Sequence, residues 1–283
     1  MKRSTAGCAF SFALLLTCCA AAGNGLAQNG TPAGAGPPAP TTTPGATATP
    51  GTGTTPGTGT TNPTLSLGIA ELQANRARQA LTDFQGVLKA DPGNTAANLL
   101  ASTAAVELFQ GQLAVQYAEK AQKLDPRNWK IHTTLVAAYS SAGMKPQRDQ
   151  ERTLLHELHR TGAPDARIAT GFLVEMFPLG NDRVDAIEYF DPMGKFHTTY
   201  RFLVRRPDGH RVWEVDVQSD DFDQKSWAAA HATEAAAGER QFQLTGHGDD
   251  NQAIDYRMFS GHPDYDDIRV MVVEALRKRG VPG

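Results

Sequence analysis

The sequence predicts a multidomain chain: an all-α helical repeat of about three helix pairs, followed by an α+β domain with an antiparallel sheet. Three observations predict it. Leu88-Lys-Ala-Asp91-Pro92-Gly-Asn94 returns 34 residues later as Gln122-Lys-Leu-Asp125-Pro126-Arg-Asn128, closing an Ala-rich helical pattern each time. Beyond Asp165 the apolar period falls from near four to two. Ahead of both parts, no Asp, Glu, Lys or Arg occurs from Ser4 to Ala70.

The chain has 283 residues and a formal charge of −3, room for one or two domains and too little positive charge for a nucleic-acid footprint. Lys2 and Arg3, an apolar run from Ala9 to Ala22 and small residues at Ala20–Ala22 and Gly25–Ala27 read as a secretory signal peptide over 1–27. The run is short for a membrane span. The expected location is therefore periplasmic or secreted. Cys8, Cys18 and Cys19 are all the cysteines and lie within this leader, so the cleaved chain has no thiol chemistry. Cys18 or Cys19 alternatively resembles the lipid-attachment cysteine of bacterial lipoproteins, which would leave the protein tethered to a membrane.

Residues 28–63 are Thr, Pro, Gly and Ala apart from Gln28, Asn29 and Asn62, with Thr-Pro-Gly at Thr43, Thr49 and Thr55. Such a stretch has no apolar surface to offset ordering entropy and reads as a disordered linker.

From Thr64 to Gly162 the helical faces recur at three and four residues, as in Leu81, Phe84, Val87 and Leu88, then Leu113, Tyr117, Ala121 and Leu124. Gly68, Ala80, Ala114 and Ala121 are small enough to let helices approach closely. One helix pair cannot cover its own apolar face, so pairs must stack. Counting back from each Asp-Pro gives units at about 61–94, 95–128 and 129–162. The last helix, Pro146 to Arg160, is polar apart from Leu154, Leu155 and Leu158 and reads as an end cap.

This segment resembles the tetratricopeptide repeat (TPR) family. The first unit supplies Leu67-Gly68, Ala80, Phe84 and Pro92 at the family's spacing, and the second Ala114, Ala121 and Pro126. The third keeps Leu135, Tyr139 and Gly143 but carries Arg148 and Arg152 at the family's small and aromatic positions. In the second unit the turn glycine, Gly111, comes two residues late. The resemblance implies that the first helices line a concave groove. Its lining would be Leu65, Ile69 and Leu72, then Leu99, Thr103 and Val106, then Thr133, Ala137 and Ser140. The family's Lys and Asn carboxylate clamp is missing there, so an apolar or helical peptide segment is the expected ligand. The alternative is that the protein's own C-terminal part or linker fills the groove.

Residues 165–283 alternate at Phe196–Val204, Trp213–Val217, Phe242–Leu244 and Ile254–Met258. Pro192–Gly194, Pro207–Gly209 and Gly246–Asp250 read as hairpin turns. Phe222 to Ala237 and Asp264 to Arg279 read as helices, giving about four strands, a helix, two strands and a helix.

Candidate chemistry is sparse. His156-Glu157-Leu158-His159 has a usable metal spacing but reads as a solvated helix face. His247 and Asp249 are expected on a glycine-rich turn, near His262 in the chain, and carry the alternative reading of a metal-assisted hydrolase. The acids at Ser219–Asp223 and Asp264–Asp267 read as helix entries. Arg205, Arg206, His210 and Arg211 flank one turn as a basic tip. No catalytic residue, metal or cofactor is assigned. The expected function is an exported, non-enzymatic scaffold or adaptor that holds a protein or peptide partner.

Overall fold

The Asp-Pro echo sets the helix boundaries. The computed structural model describes residues 64–162, 169–193, 198–218, Thr233, 240–250, 252–260 and 264–282. The expected leader, linker, Phe222–Ala237 helix (apart from Thr233), Ser219–Asp223 run and His262 lie outside them. Six helices come first: α1 (Leu65–Gln73), α2 (Ala77–Ala90), α3 (Thr95–Glu107), α4 (Gly111–Leu124), α5 (Trp129–Ser141) and α6 (Lys145–Thr161). Between α2 and α3, Asn94 caps the incoming helix by accepting from the Ala97 N–H, and its amide donates to Asp91. Between α4 and α5, Asn128 accepts from the Lys130 N–H and donates to Asp125 at 2.9 Å. The repeated Asp-Pro-x-Asn is thus a self-capping turn.

The same spacing governs the turns inside each pair. Asn75, Phe109 and Gly143 all hold positive φ, at 56°, 55° and 72°. Phe109, not Gly111, therefore occupies the left-handed turn of the second pair. Gly111 instead opens α4 at a point where a Cβ would collide with the Ser141 carbonyl. Gly68 likewise makes room for the Phe84 ring.

Successive helices pack on one another, and α1 also touches α3 as α3 touches α5. α2 meets α4, and α4 meets α6, only through single side-chain hydrogen bonds (Gln85–Tyr117 and Gln122–Glu151), so the odd-numbered helices form the closer-packed inner row. α3 and α5 are accordingly buried nearly all round, while α2 and α4 bury one stripe.

A six-stranded antiparallel meander follows: β1 (Gly171–Leu179), β2 (Asp182–Met193), β3 (Thr198–Arg205), β4 (Arg211–Gln218), β5 (Arg240–Gly248) and β6 (Ala253–Ser260), paired in chain order. Gly180, with φ 61°, turns β1 into β2, and Gly209, with φ 89°, turns β3 into β4. α7 (Tyr265–Lys278) closes the chain behind a capping box in which Asp264 accepts from the Asp267 N–H and Asp267 from the Asp264 N–H. Mixed α and β, with helices first and sheet second, is what the structure shows. Among the described residues no helix is long and apolar enough to cross a membrane.

One sheet face presents Ala186, Phe202 and Val215 in register, with Val204 opposite Trp213 on the same face. Ile268, Val272 and Leu276 of α7 join this core, and so do Val136 of α5 and Leu155 of α6. The helices and the sheet therefore share one hydrophobic cluster, and Pro63–Gly283 forms one compact unit.

Candidate functional site

The expected groove is where the sheet meets the helices. α5 packs along β1. Val136, on the α5 face that also carries Thr133, Ala137 and Ser140, belongs to the sheet core. Of the nine expected lining residues, Leu72, Leu99 (8% exposed), Val106 (2%), Thr133 and Ala137 are buried. Leu65, Ile69, Thr103 and Ser140 remain partly open. The hydroxyls of Thr103 and Thr133 donate to the Leu99 and Lys130 carbonyls of their own helices, while Ser140 Oγ is buried without a partner. At α5 the expected groove position is occupied by the protein's own sheet.

α6 is the helix that makes this seam. Arg148, 3% exposed, places a bidentate fork on Asp266 of α7 at 3.0 and 3.1 Å and a second on Asp149. One turn on, Arg152 grips Glu188 of β2 at 2.7 and 3.1 Å and donates to the Tyr200 hydroxyl at 2.7 Å. That hydroxyl donates in turn to Glu188. His156 Nε2 lies 2.9 Å from the same carboxylate, and His159 Nε2 lies 2.9 Å from Asp191. Both guanidiniums also sit over the Tyr265 ring, at 5.0 and 5.5 Å.

The electrostatics follow from this crowding. Burial alone would raise the Glu188 carboxyl, but hydrogen bonds from His156 and Arg152 outweigh it and hold it below the usual range. The Arg148 hydrogen bond brings Asp266 down to about 2, against burial. Burial, reinforced by the Glu188 charge, pushes the Tyr200 phenol up. Glu188 stays ionised and Tyr200 neutral across the physiological range. The cluster is a satisfied clamp between helix and sheet.

This corrects one expectation. His156 and His159 do not form a solvated face: His159 stacks on Phe190 at 4.6 Å, and His156 meets Phe172 and Phe190 edge-on. Arg148 and Arg152, at the resemblance's small and aromatic positions, are each paired with carboxylates: Asp149 and Asp266 for Arg148, Asp149 and Glu188 for Arg152. The readable signal is their spacing: Arg148, Arg152, His156 and His159 form one stripe at four, four and three residues.

The expected turn at Gly246–Asp250 begins later than predicted. Gly246, His247 and Gly248 lie within β5, opposite Val215, Glu214 and Trp213. A Cβ on Gly248 would stand 3.0 Å from the Trp213 ring, so the glycine serves packing. His247 is exposed, and Asp249 lies 3.5 Å from His210 and 4.0 Å from Arg206. The basic tip is thus answered by acids: Arg205 binds Asp185, Arg211 binds Glu214, and Asp249 faces the rest. Among the described residues no group of three His, Cys, Asp or Glu is placed to hold a metal ion.

No protein-family model matches the chain, and no curated protein matches it.

Proposed function

We propose that the chain is an exported protein–protein interaction scaffold, with tetratricopeptide-like helix pairs over 64–162 and an α+β part over 165–283 completing the array. The observation that carries this reading is that the 34-residue period holds at the level of single bonds. The left-handed positions Asn75, Phe109 and Gly143 and the caps Asn94 and Asn128 keep it, as do two side chains, Asn98 and His132, bonded to the carbonyls of Pro92 and Pro126. Helix pairs stacked this way present long rows of side chains to a partner. Export would follow from the leader. A linker over 28–63 would give the module reach from the envelope, whether the chain is released into the periplasm or medium or held by a lipid on Cys18 or Cys19.

The partner is a protein or peptide segment. Because the sheet fills the seam at α5, the surface proposed for it is the open margin of the inner row: Leu65 and Ile69 of α1, Thr103 of α3 and Ser140 of α5. The buried Leu72, Leu99, Val106, Thr133 and Ala137 form its floor. A charge at Leu99 or Val106 would unfold the array and test nothing. Single cysteines at Ile69, Thr103 and the outer, exposed Gln79 suit the purpose, since residues 28–283 contain no other thiol. Envelope proteins from the chain's own host should slow thiol labelling at Ile69 and Thr103 and leave Gln79 unchanged. Equal labelling at all three positions with and without those proteins would overturn the reading.

A further inference from the structure

The outer helices carry a group of cations that the described residues leave unanswered. Lys89, in the last turn of α2, and Lys123, in the last turn of α4, stand 34 residues apart at the same place in successive units. Lys120 shares a face of α4 with Lys123, and Arg127 follows in the Asp-Pro turn. All are exposed, and none forms a hydrogen bond or ion pair among the described residues. The acids around them are already engaged. Asp91 accepts from Asn94, Asp125 from Asn128 and Glu119 from the Tyr139 hydroxyl, while on α6 Glu151 faces His132 and Glu157 faces Arg160. A helix C-terminus favours Lys89 and Lys123, but it accounts for neither Lys120, further back, nor Arg127, beyond the helix end.

An apolar row runs through these cations. Leu124 is 44% exposed and lies one turn after Lys120 on the same face of α4. On α6 the equivalent of Leu124 is the half-buried Leu158, and the place of Lys120 is taken by Leu154, 37% exposed. Gln122 Nε2 of α4 donates to Glu151 of α6 at 3.2 Å, so the two helices are neighbours and the row passes from one to the other. Exposed leucines set among unpaired cations, with the local acids engaged elsewhere, form a surface that is apolar at its centre and of one sign at its rim. Such a surface selects a partner with apolar anchors and the opposite charge.

We propose that the outer face of α4 and α6 docks an acidic peptide segment: its apolar side chains sit on Leu124, Leu154 and Leu158, and its carboxylates face Lys120, Lys123 and Arg127, with Lys89 extending the rim onto α2. A lipid surface is the poorer fit, since Asp91, exposed in the turn beside Lys89, would be pressed against anionic headgroups. This face is separate from the margin formed by Leu65, Ile69, Thr103 and Ser140, so the proposal stands whether or not that margin holds a partner.

Fluorescence anisotropy on the full chain tests it, with a labelled synthetic peptide of leucine and glutamate as the probe. The peptide should bind, and a counterpart with lysine in place of glutamate should not. The double change Lys120→Glu and Lys123→Glu should weaken binding roughly tenfold or more, as should Leu124→Ser. These side chains are exposed, so the circular dichroism spectrum should stay the same. Arg78→Glu, at an exposed cation in the first turn of α2, should leave binding unchanged. Absence of binding, or equal binding to the charge-reversed chain, would overturn the proposal. Vesicles of phosphatidylglycerol and phosphatidylcholine supply the other arm. Co-flotation that the charge reversal abolishes, in a chain that ignores the peptide, would assign the face to a membrane and equally overturn it.

Discussion

Asn98 and His132 stand 34 residues apart and make the same contact: Asn98 Nδ2 donates to the Pro92 carbonyl at 3.3 Å, and His132 Nε2 donates to the Pro126 carbonyl at 3.0 Å. The imidazole does one thing more. Its Nδ1 lies 2.7 Å from Glu151 of α6, so both ring nitrogens face oxygen acceptors and the cation satisfies both. This bond ties together the two helices of the third pair, α5 and α6.

The pH dependence of that bond has a definite sign. Glu151's hydrogen bond raises the His132 pKa, burial opposes it, and the Pro126 carbonyl assists. A histidine raised on folding stabilises fully below its unfolded value near 6.5 and loses that contribution as pH climbs through the folded value. His132→Asn keeps the proline contact and removes the cation. Urea unfolding should show a loss of about 1 kcal/mol at pH 6 that shrinks by pH 9. An equal loss at both values would locate the effect in packing.

Arg152 neutralises a buried carboxylate, Glu188. Arg152→Met leaves Glu188 charged and buried, at an expected cost of about 3–5 kcal/mol in denaturant midpoints converted to free energy. Arg152→Lys should recover less than half of that, because one ammonium cannot hold both Glu188 oxygens and Tyr200 together. Combining Arg152→Met with Glu188→Leu should be milder than the first change alone. A double variant as unstable as the sum would show that packing dominates.

Two glycines separate steric from conformational need. Gly143 has φ 72° and open space around it, so Gly143→Ala incurs only the left-handed penalty, about 1 kcal/mol. Gly111 abuts Ser141 backbone, which cannot move cheaply, and Gly111→Ala should cost roughly 2–3 kcal/mol. Thermal unfolding of the two single variants checks the order.

Phe109→Asn installs the residue that the first pair uses at the same place. Asn tolerates the left-handed region, so the melting temperature should hold or rise by the equivalent of about 0.5 kcal/mol. A clear fall would mean that the half-exposed ring makes a contact worth more than its strain.

Legibility in the sequence depends on whether the determinant is local. The Asp-Pro-x-Asn turns, the α7 capping box and the alternation of β3 and β4 are set by neighbours in sequence, and each is legible there. The role of Phe109 is hidden because an aromatic gives no sign of a left-handed φ, and the nearby Gly111 offers a false candidate. His247 reads as a turn residue because Gly246 and Gly248 flank it. Their need arises from Val215 and Trp213, some thirty residues away. The seam at α6 is hidden for the same reason: Arg148 and Arg152 look like surface until Glu188 and Asp266 are placed opposite them. The nine groove residues follow from spacing alone, and spacing does not say that β1 lies along α5.

In the scaffold proposed above, the stripe on α6 would also fix the length of the array. A helix whose packing face carries Arg148 and Arg152, matched to carboxylates on β2 and α7, offers no seat for a further helix pair. Growth or loss of whole units in related chains would have to occur upstream of Asn128, where each junction is made of the same Asp-Pro-x-Asn turn and one unit can stand in for another.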